Sequence, residues 1–463
     1  MVAVRDEVAE VVGGGTWVLL GGLAVSLAGF VFWLVLSRLV GVESVGIASA
    51  IVSASGVAST LVSAGLNIAV IREVAAEGPK AFTTSLLLAL VLGSVAAVVT
   101  VPLTYSLGYG SLASFASALA LLSIMSIAAA QSLMGFEEFR KYFTAMLTSS
   151  IAKIAVGVAL AVAGLSVLSP IIGYLTYPLV LLIAALLLAL PVLKCSEDLR
   201  PSVAGFKSLV KLSLSNYPYV FSNQLLTMLG VYIFAYLVRE AVPTGTLYID
   251  LMISLAVAAI PGSILSAALP VSIRKGADTF AESFRVGLSL ATPVVVLVGG
   301  ASTALLSTIN PDLTAGSLPL KVLLTSVAPL TALTAAIMAL NKKGNAKEIA
   351  VLGLTRLTVL TALLPVVSNY FGLLGASLAY LLANIAPLPI ARRYVKIWNH
   401  LAVLWTIQTA LILMSIPLSS YVSELPLALA LAAASILVMH VTRAYTIREL
   451  AKTIEIIATH ILK

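Results

Sequence analysis

Polar residues punctuate this chain between long apolar runs; they do not alternate with apolar ones. A run of about 20 mostly apolar residues is long enough to cross the ~30 Å hydrocarbon core of a bilayer as a helix. The pattern predicts fourteen such spans, at about 14–37, 45–70, 82–106, 112–135, 142–165, 168–192, 212–238, 247–270, 284–309, 318–340, 348–370, 373–391, 400–418 and 425–446. Connections between them are short, the longest being 193–211. The segment before the first run carries Asp6, Glu7 and Glu10 beside Arg5, unlike the basic start of a cleaved signal, so 14–37 is read as a retained first span. The expected fold is an all-α polytopic membrane protein.

Composition supports that class and removes others. Of 463 residues, 60% are hydrophobic and only 10% charged, with mean hydropathy +1.10. A soluble domain carries about 25% charged residues. The net charge of +8 would fit a nucleic-acid partner if it were gathered on one face. It is dispersed instead. With the N-terminus in the cytoplasm, all but four of the 27 Lys and Arg fall on inner segments or on the helix ends beside them. The exceptions are Arg38, Lys153, Arg239 and Lys321. The charge pattern therefore predicts a multi-pass protein of the cell membrane with both termini cytoplasmic and no nucleic acid bound. The basic stretch from Arg443 to Lys463 reads as a helix lying at the inner surface.

Catalytic signatures are missing. There is no phosphate-binding G-x-x-x-x-G-K-[ST] loop, no H-E-x-x-H and no dense acidic cluster, and His400, His440 and His460 are scattered. Cys195 is the only cysteine, so no intramolecular disulfide or cysteine metal cluster forms. Transport is expected, not an enzyme, and with no cofactor apart from H+ or Na+ coupling.

Sliding the chain on itself aligns FVFWLVLSRLVGVESVGIASA with YIFAYLVREAVPTGTLYIDLM, which matches Arg38 to Arg239 at an offset of 201; Arg72 and Arg274 nearly match as well. Two halves of six helices that both start inside form a parallel repeat. The domains predicted are an N-terminal six-helix bundle at 1–192, a cytoplasmic linker at 193–211, a second six-helix bundle at 212–391, and two further helices with the basic surface helix at 392–463.

The stretch beginning FWLVLSRLVGVESVGIASA resembles the O-antigen-type flippases among the polysaccharide-biosynthesis proteins of the multidrug/oligosaccharidyl-lipid/polysaccharide (MOP) superfamily. The resemblance rests on Arg38, Leu39, Gly41, Glu43 and Gly46, then Gly65, Leu66, Arg72 and Glu73, and spans about 45 residues. Asn216, Tyr217 and Pro218 are similar to that family's second-half start, whereas Thr244, Gly245, Thr246 and Leu247 depart from a second copy of the turn. The resemblance implies two six-helix bundles in a V that opens to one side at a time. It also implies a lipid-linked saccharide as substrate, a polyprenyl phosphate or pyrophosphate carrying sugars.

An anionic head crossing hydrocarbon needs a polar, cationic path. Lys153, mid-helix with Ser149, Ser150 and Gly157 on its face, is the sharpest candidate to bind it; the alternative is a snorkelling or structural lysine. Arg356 fits phosphate or snorkels inward. Arg38 and Arg239 line an outer mouth, or anchor there paired with Glu43 and Glu240, and Arg72 reads as an inner-surface charge. Asn216, Tyr219, Asn223 and Thr227 form one polar face of the seventh helix and are expected to line the cavity, with Ser377, Tyr380 and Asn384 of the twelfth reading similarly. Ser49, Ser53, Gly56, Thr60, Ser63 and Asn67 form a stripe that either packs closely or lines the cavity. Asp250, early in the eighth helix and shallow enough to be wetted, is a candidate proton or sodium site or a partner for a nearby cation. Glycines 13–15, 21, 22 and 29 make the first helix pliable.

Two other readings remain open: a drug/cation antiporter of the same superfamily, and a non-transporting membrane scaffold. A peptidoglycan-precursor flippase lies close to the leading reading, and the residues do not separate the two. The chain is expected to act as a monomer among membrane lipids.

Overall fold

The computed structural model describes residues 2–194, 199–275, 279–343, 345–446 and 448–449. Every regular element among them is helical. Hydrocarbon offers backbone N–H and C=O groups no partner, so a crossing segment has to satisfy them within itself. Contacts divide the chain into two units, Met1–Tyr248 and Ile249–Lys463.

The first unit holds α1 (Val2–Ser63), α2 (Leu66–Glu77), α3 (Pro79–Ser106), α4 (Ala113–Gly135), α5 (Phe139–Val162), α6 (Leu168–Lys194), α7 (Val203–Val238) and the start of α8 (Ala241–Lys275). In the second are the rest of α8, α9 (Phe280–Gly300), α10 (Ser302–Ile309), α11 (Ser317–Thr325), α12 (Val327–Lys343), α13 (Ala346–Ile385), α14 (Leu388–Ala391), α15 (Trp398–Leu418) and α16 (Glu424–Val441). Eleven helical stretches among the described residues are long and apolar enough to cross a membrane. The protein is a multi-pass membrane protein.

Several predicted boundaries move. The gap expected between 37 and 45 is helical except at Gly41, whose φ of 82° lies in the left-handed region open to glycine, and α1 kinks there. The span expected to run to 70 stops at Ser63, because Gly65 takes φ 88° and the chain restarts as α2. The run expected at 284–309 is two helices that break at Ala301. The expected pair at 348–370 and 373–391 is joined in α13 across Gly372, with φ 54° and ψ −128°. The backbone doubles back so tightly there that a Cβ on Gly375 would overlap the Val367 carbonyl.

Polar side chains on spanning helices mostly answer to their own backbone. Ser53 Oγ donates to Ala50 O (2.8 Å), Thr100 Oγ1 to Ala96 O (2.7 Å) and Thr292 Oγ1 to Leu288 O (2.7 Å). A hydroxyl bonded this way needs no water, so serine-rich and threonine-rich helices remain compatible with lipid.

In the first unit α7 is tied along its length. Ser208 Oγ donates to Glu73 Oε2 (2.8 Å), Ser213 Oγ to Ala64 O (3.2 Å), and Tyr232 shares a 2.8 Å hydrogen bond with Ser106. α1 meets the first turns of α8 backbone to backbone: a Cβ on Gly46 would overlap the Ala241 carbonyl, and one on Gly245 would stand 2.6 Å from Val42 O. Helices approach this closely only through small residues. Of the basic C-terminal stretch, the described part ends at Glu449. There the Thr446 N–H donates to Glu449 Oε2 (2.8 Å) and the Glu449 N–H to Thr446 Oγ1 (3.3 Å), the reciprocal cap that opens a helix, while Arg285 holds the same carboxylate at 2.9 Å. The remainder of the predicted surface helix, 450–463, lies outside the described residues.

Replacing Gly46 by Leu should separate α1 from α8 and destabilise the protein by about 2–3 kcal/mol. The thermal midpoint in detergent should fall, while Gly22→Ala, whose Cβ meets nothing within 4 Å, leaves it unchanged. Equal midpoints for the two variants would contradict the close crossing.

Candidate functional site

Lys153 sits in the middle of α5 and is only 4% exposed. Ser149, Ser150 and Gly157 are buried on the same face, as their helical spacing predicts. Lys153 has neither a hydrogen bond nor an ion pair with any described residue; its partners are rings. The Nζ lies 5.3 Å from the centroid of Phe32, 5.6 Å from Tyr174 and 5.3 Å from Tyr177. Phe32 comes from α1 and the tyrosines from α6, so the cage joins three helices. A desolvated ammonium over an aromatic face gains about 2 kcal/mol or more. Gly29 of α1 lies beside the cage, its Cβ position 3.9 Å from the amine. The Ser150 Oγ, one turn from Lys153, is buried without a partner.

The rings continue away from Lys153. Trp33 packs against Phe32 at 5.1 Å, Tyr174 at 5.7 Å and Tyr248 at 4.9 Å. Composition and spacing around Lys153 did not reveal this cage, because its rings lie more than a hundred residues upstream and some twenty downstream. The only available signal was a lone mid-span cation with no acid near it in sequence.

Arg356 is 9% exposed on α13, and its Nε donates to Asn384 Oδ1 at 2.7 Å. The turn at Gly372 brings these two residues together from 28 positions apart. Of the expected polar group on the twelfth span, Ser377, Tyr380 and Asn384 are all buried. Asp250 differs from its expected setting. α8 begins at Ala241, not 247, which puts Asp250 about 14 Å along the helix. Its side chain is fully buried, and neither carboxylate oxygen has a hydrogen-bond partner among the described residues. The expected wetting is not found, and no cation pairs with Asp250 among the described residues.

The two other arginines are surface groups. Arg38 and Arg239 are both exposed, and no ion pair joins them to Glu43 or Glu240, which corrects the expected pairing. Arg239 itself takes φ 55° where α7 ends, and its guanidinium lies 5.6 Å from the Tyr236 ring. Glu43 acts on Tyr109, whose phenol pKa is pushed up by burial and then by that negative charge. The two stretches that align in sequence differ in local geometry: the chain breaks three residues after Arg38 but at Arg239 itself.

The side chains of Asn216, Tyr219 and Asn223 lie outside the described residues, and Thr227 is half-buried on α7. The expected stripe is interrupted, because Asn67 follows the break at Gly65 and belongs to α2. Its Oδ1 is buried and unpartnered. Ser49 and Ser53 bond their own helix, and a Cβ on Gly56 would press to 2.9 Å on Met228, so this part of the stripe is a packing seam. Sequence reasoning gave no role to two buried polar pairs of the second unit: Lys321 Nζ donates to Ser415 Oγ (3.0 Å), and Gln408 Nε2 to Thr292 Oγ1 (2.9 Å).

Residues 11–274 match the family described as "Polysaccharide biosynthesis protein". No curated protein sequence matches the chain. Among solved structures, the lipid II flippase MurJ in an inward closed conformation is similar with a TM-score of 0.73 at 13% identity, over 93% of this chain and 98% of that one. A multidrug resistance MATE family transporter of the MOP superfamily, inward-facing, is similar with a TM-score of 0.55 at 14% identity, over 84% and 95%. A MOP superfamily transporter from Pyrococcus furiosus, described as having a binding pocket of reverse polarity, gives 0.52 at 13%, over 85% and 96%. At these identities the likeness establishes the fold.

The contact between Arg356 and Asn384 is testable by a double-mutant cycle. Arg356→Met and Asn384→Leu should each lower stability, and the pair should be less damaging than their sum by about 0.5–3 kcal/mol. Additive losses in detergent unfolding would show that the hydrogen bond does not couple the two halves of α13.

Proposed function

The chain belongs to the family of polysaccharide biosynthesis proteins, and on that premise we propose that it is a flippase for a lipid-linked saccharide. The substrate is a polyprenyl phosphate or pyrophosphate bearing sugars. It crosses the cell membrane by alternating access between two six-helix bundles, with both termini in the cytoplasm and the chain acting as a monomer. The kinks at Gly41 and Gly372, each inside one apolar stretch, and the shorter apolar run Leu225–Val238 of α7 are compatible with the fourteen passes this reading requires. The similarity to a lipid II flippase along nearly the whole chain supports it.

The observation that carries the proposal is Lys153. It is a buried cation inside a span with no acid beside it, so its charge is available to a visiting anion. The aromatic cage is its resting place. A charge-assisted hydrogen bond to phosphate gains about 1.5–3 kcal/mol, close to what a desolvated ring face gives up. Arg356, held by Asn384 within the second unit, is a further cation that this reading assigns to phosphate binding. Arg38, three residues before the kink of α1, and Arg239, at the end of α7, are exposed and line the outer mouth in this reading.

Asp250 is the ion-coupling group in this scheme. An isolated carboxylate buried in a span is relieved by a proton or a cation, and no protein group among the described residues relieves it. The same residue is what favours the second reading, a drug/cation antiporter of the superfamily, since such a cargo would need a carboxylate.

Purified protein in liposomes should move a polyprenyl-pyrophosphate oligosaccharide between leaflets and leave a cationic dye in place. Lys153→Gln should slow the movement at least tenfold with unchanged folding, and Asp250→Asn should flip at a rate indifferent to imposed proton or sodium gradients. Dye transport without lipid movement would establish the antiporter reading instead.

A further inference from the structure

The rings around Lys153 are held in place by their own neighbours. Phe32 is fully buried between two glycines: a Cβ on Gly157 of α5 would press to 2.6 Å on its ring, and one on Gly173 of α6 to 2.9 Å. Trp33 packs against both Phe32 and Tyr174. The Tyr177 hydroxyl donates to Met146 Sδ at 3.2 Å. Close packing of α1, α5 and α6 therefore fixes where the ring faces stand, whatever lies between them.

That spacing suits a larger cation than the one it holds. A methyl carbon in contact with a ring face lies about 3.5–4.0 Å from it, and the carbon–nitrogen bond adds ~1.5 Å. A methylated nitrogen whose methyl points at the ring therefore sits about 5.0–5.5 Å from the centroid. At Lys153 the three distances are 5.3, 5.6 and 5.3 Å. The lysine ammonium has only hydrogens to put into that shell, and a gap of 0.5–1 Å already forfeits about a quarter to a half of a dispersion contact. Lys153 underfills its cage. Gly29 keeps a side chain out of the same space, since a Cβ there would lie 3.9 Å from the amine.

We propose that Phe32, Tyr174 and Tyr177 form a binding site for a methylated ammonium ion, open to it when Lys153 leaves the rings for an anion, which rests on the reading of Lys153 as an anion ligand. The charge of such an ion is attracted to the ring faces and its methyls fill the space between them. A head group that carries a phosphate and a trimethylammonium together satisfies both partners at once. Its phosphate goes to Lys153 and its ammonium to the rings, so the two cations are not left facing each other.

The test is thermal unfolding of the full-length purified protein in detergent at constant ionic strength. In Lys153→Ala, tetramethylammonium should raise the midpoint by about 2–3 °C at about a hundred times its dissociation constant. Neopentyl alcohol, its neutral match in shape, should do nothing, and adding Tyr177→Leu should remove the gain. In the wild-type chain Lys153 occupies the cage, so tetramethylammonium alone should not act. Phosphocholine should, because it offers Lys153 a phosphate in exchange. Tetramethylammonium with inorganic phosphate acting as well as phosphocholine would assign the site to a free ion and not to a head group. No gain in Lys153→Ala, an equal gain from the neutral alcohol, or a wild-type chain indifferent to phosphocholine would overturn the proposal. None of these readouts involves lipid movement, so a failure here is distinct from a failure of the flippase reading.

Discussion

Hydrocarbon supplies no hydrogen bonds, and nearly every feature of this protein follows from that. Backbone groups have to close on themselves, so the described chain is helix after helix. Hydroxyls have to close as well, and Ser53, Thr100 and Thr292 do so on carbonyls of their own helices. Where two helices meet without a hydrophobic drive, glycine lets their backbones touch, as Gly46 and Gly245 do between α1 and α8.

Against that background the charges inside the spans stand out, because each is handled differently. Lys153 is wrapped in three ring faces, Arg356 leans on an amide oxygen, and Lys321 on a hydroxyl. Among the described residues none of the three is joined to a carboxylate in an ion pair, although Glu424 acts on Lys321 from further off. A structural charge in a membrane is usually paired with its opposite, since a lone one is expensive to keep. Solvating a cation with rings and neutral oxygens preserves its charge for something else. Asp250, with no hydrogen-bond partner among the described residues, is the acidic counterpart of the same arrangement.

The helical class, the approximate spans and the family were legible in the sequence because they depend on apolar run length and on a local signature around Arg38 to Glu73. Lys153 was legible for a similar reason, since a lysine in mid-span needs no neighbour to be noticed. The helix breaks at Gly41 and Gly372 fall in the gaps that run length places at 38–44 and 371–372. Their backbone dihedrals were not legible. Nor were long-range partners: the hydrogen bond of Arg356 to Asn384 depends on how α13 doubles back, and the cage on how α1 and α6 pack around α5. The burial of Asp250 was misjudged because its helix starts six residues before the hydropathy run predicts.

The central claim is that the Lys153 cage opens to admit an anion. The most direct measurement is the reactivity of a Ser150→Cys probe, one turn from Lys153, in a Cys195→Ser background. A water-soluble thiol reagent is applied with and without a polyprenyl-pyrophosphate saccharide. Slow labelling of the resting protein that quickens severalfold with the lipid is the predicted result. A probe that stays equally inert in both conditions would mean that Lys153 never leaves its rings and serves only to hold α1, α5 and α6 together.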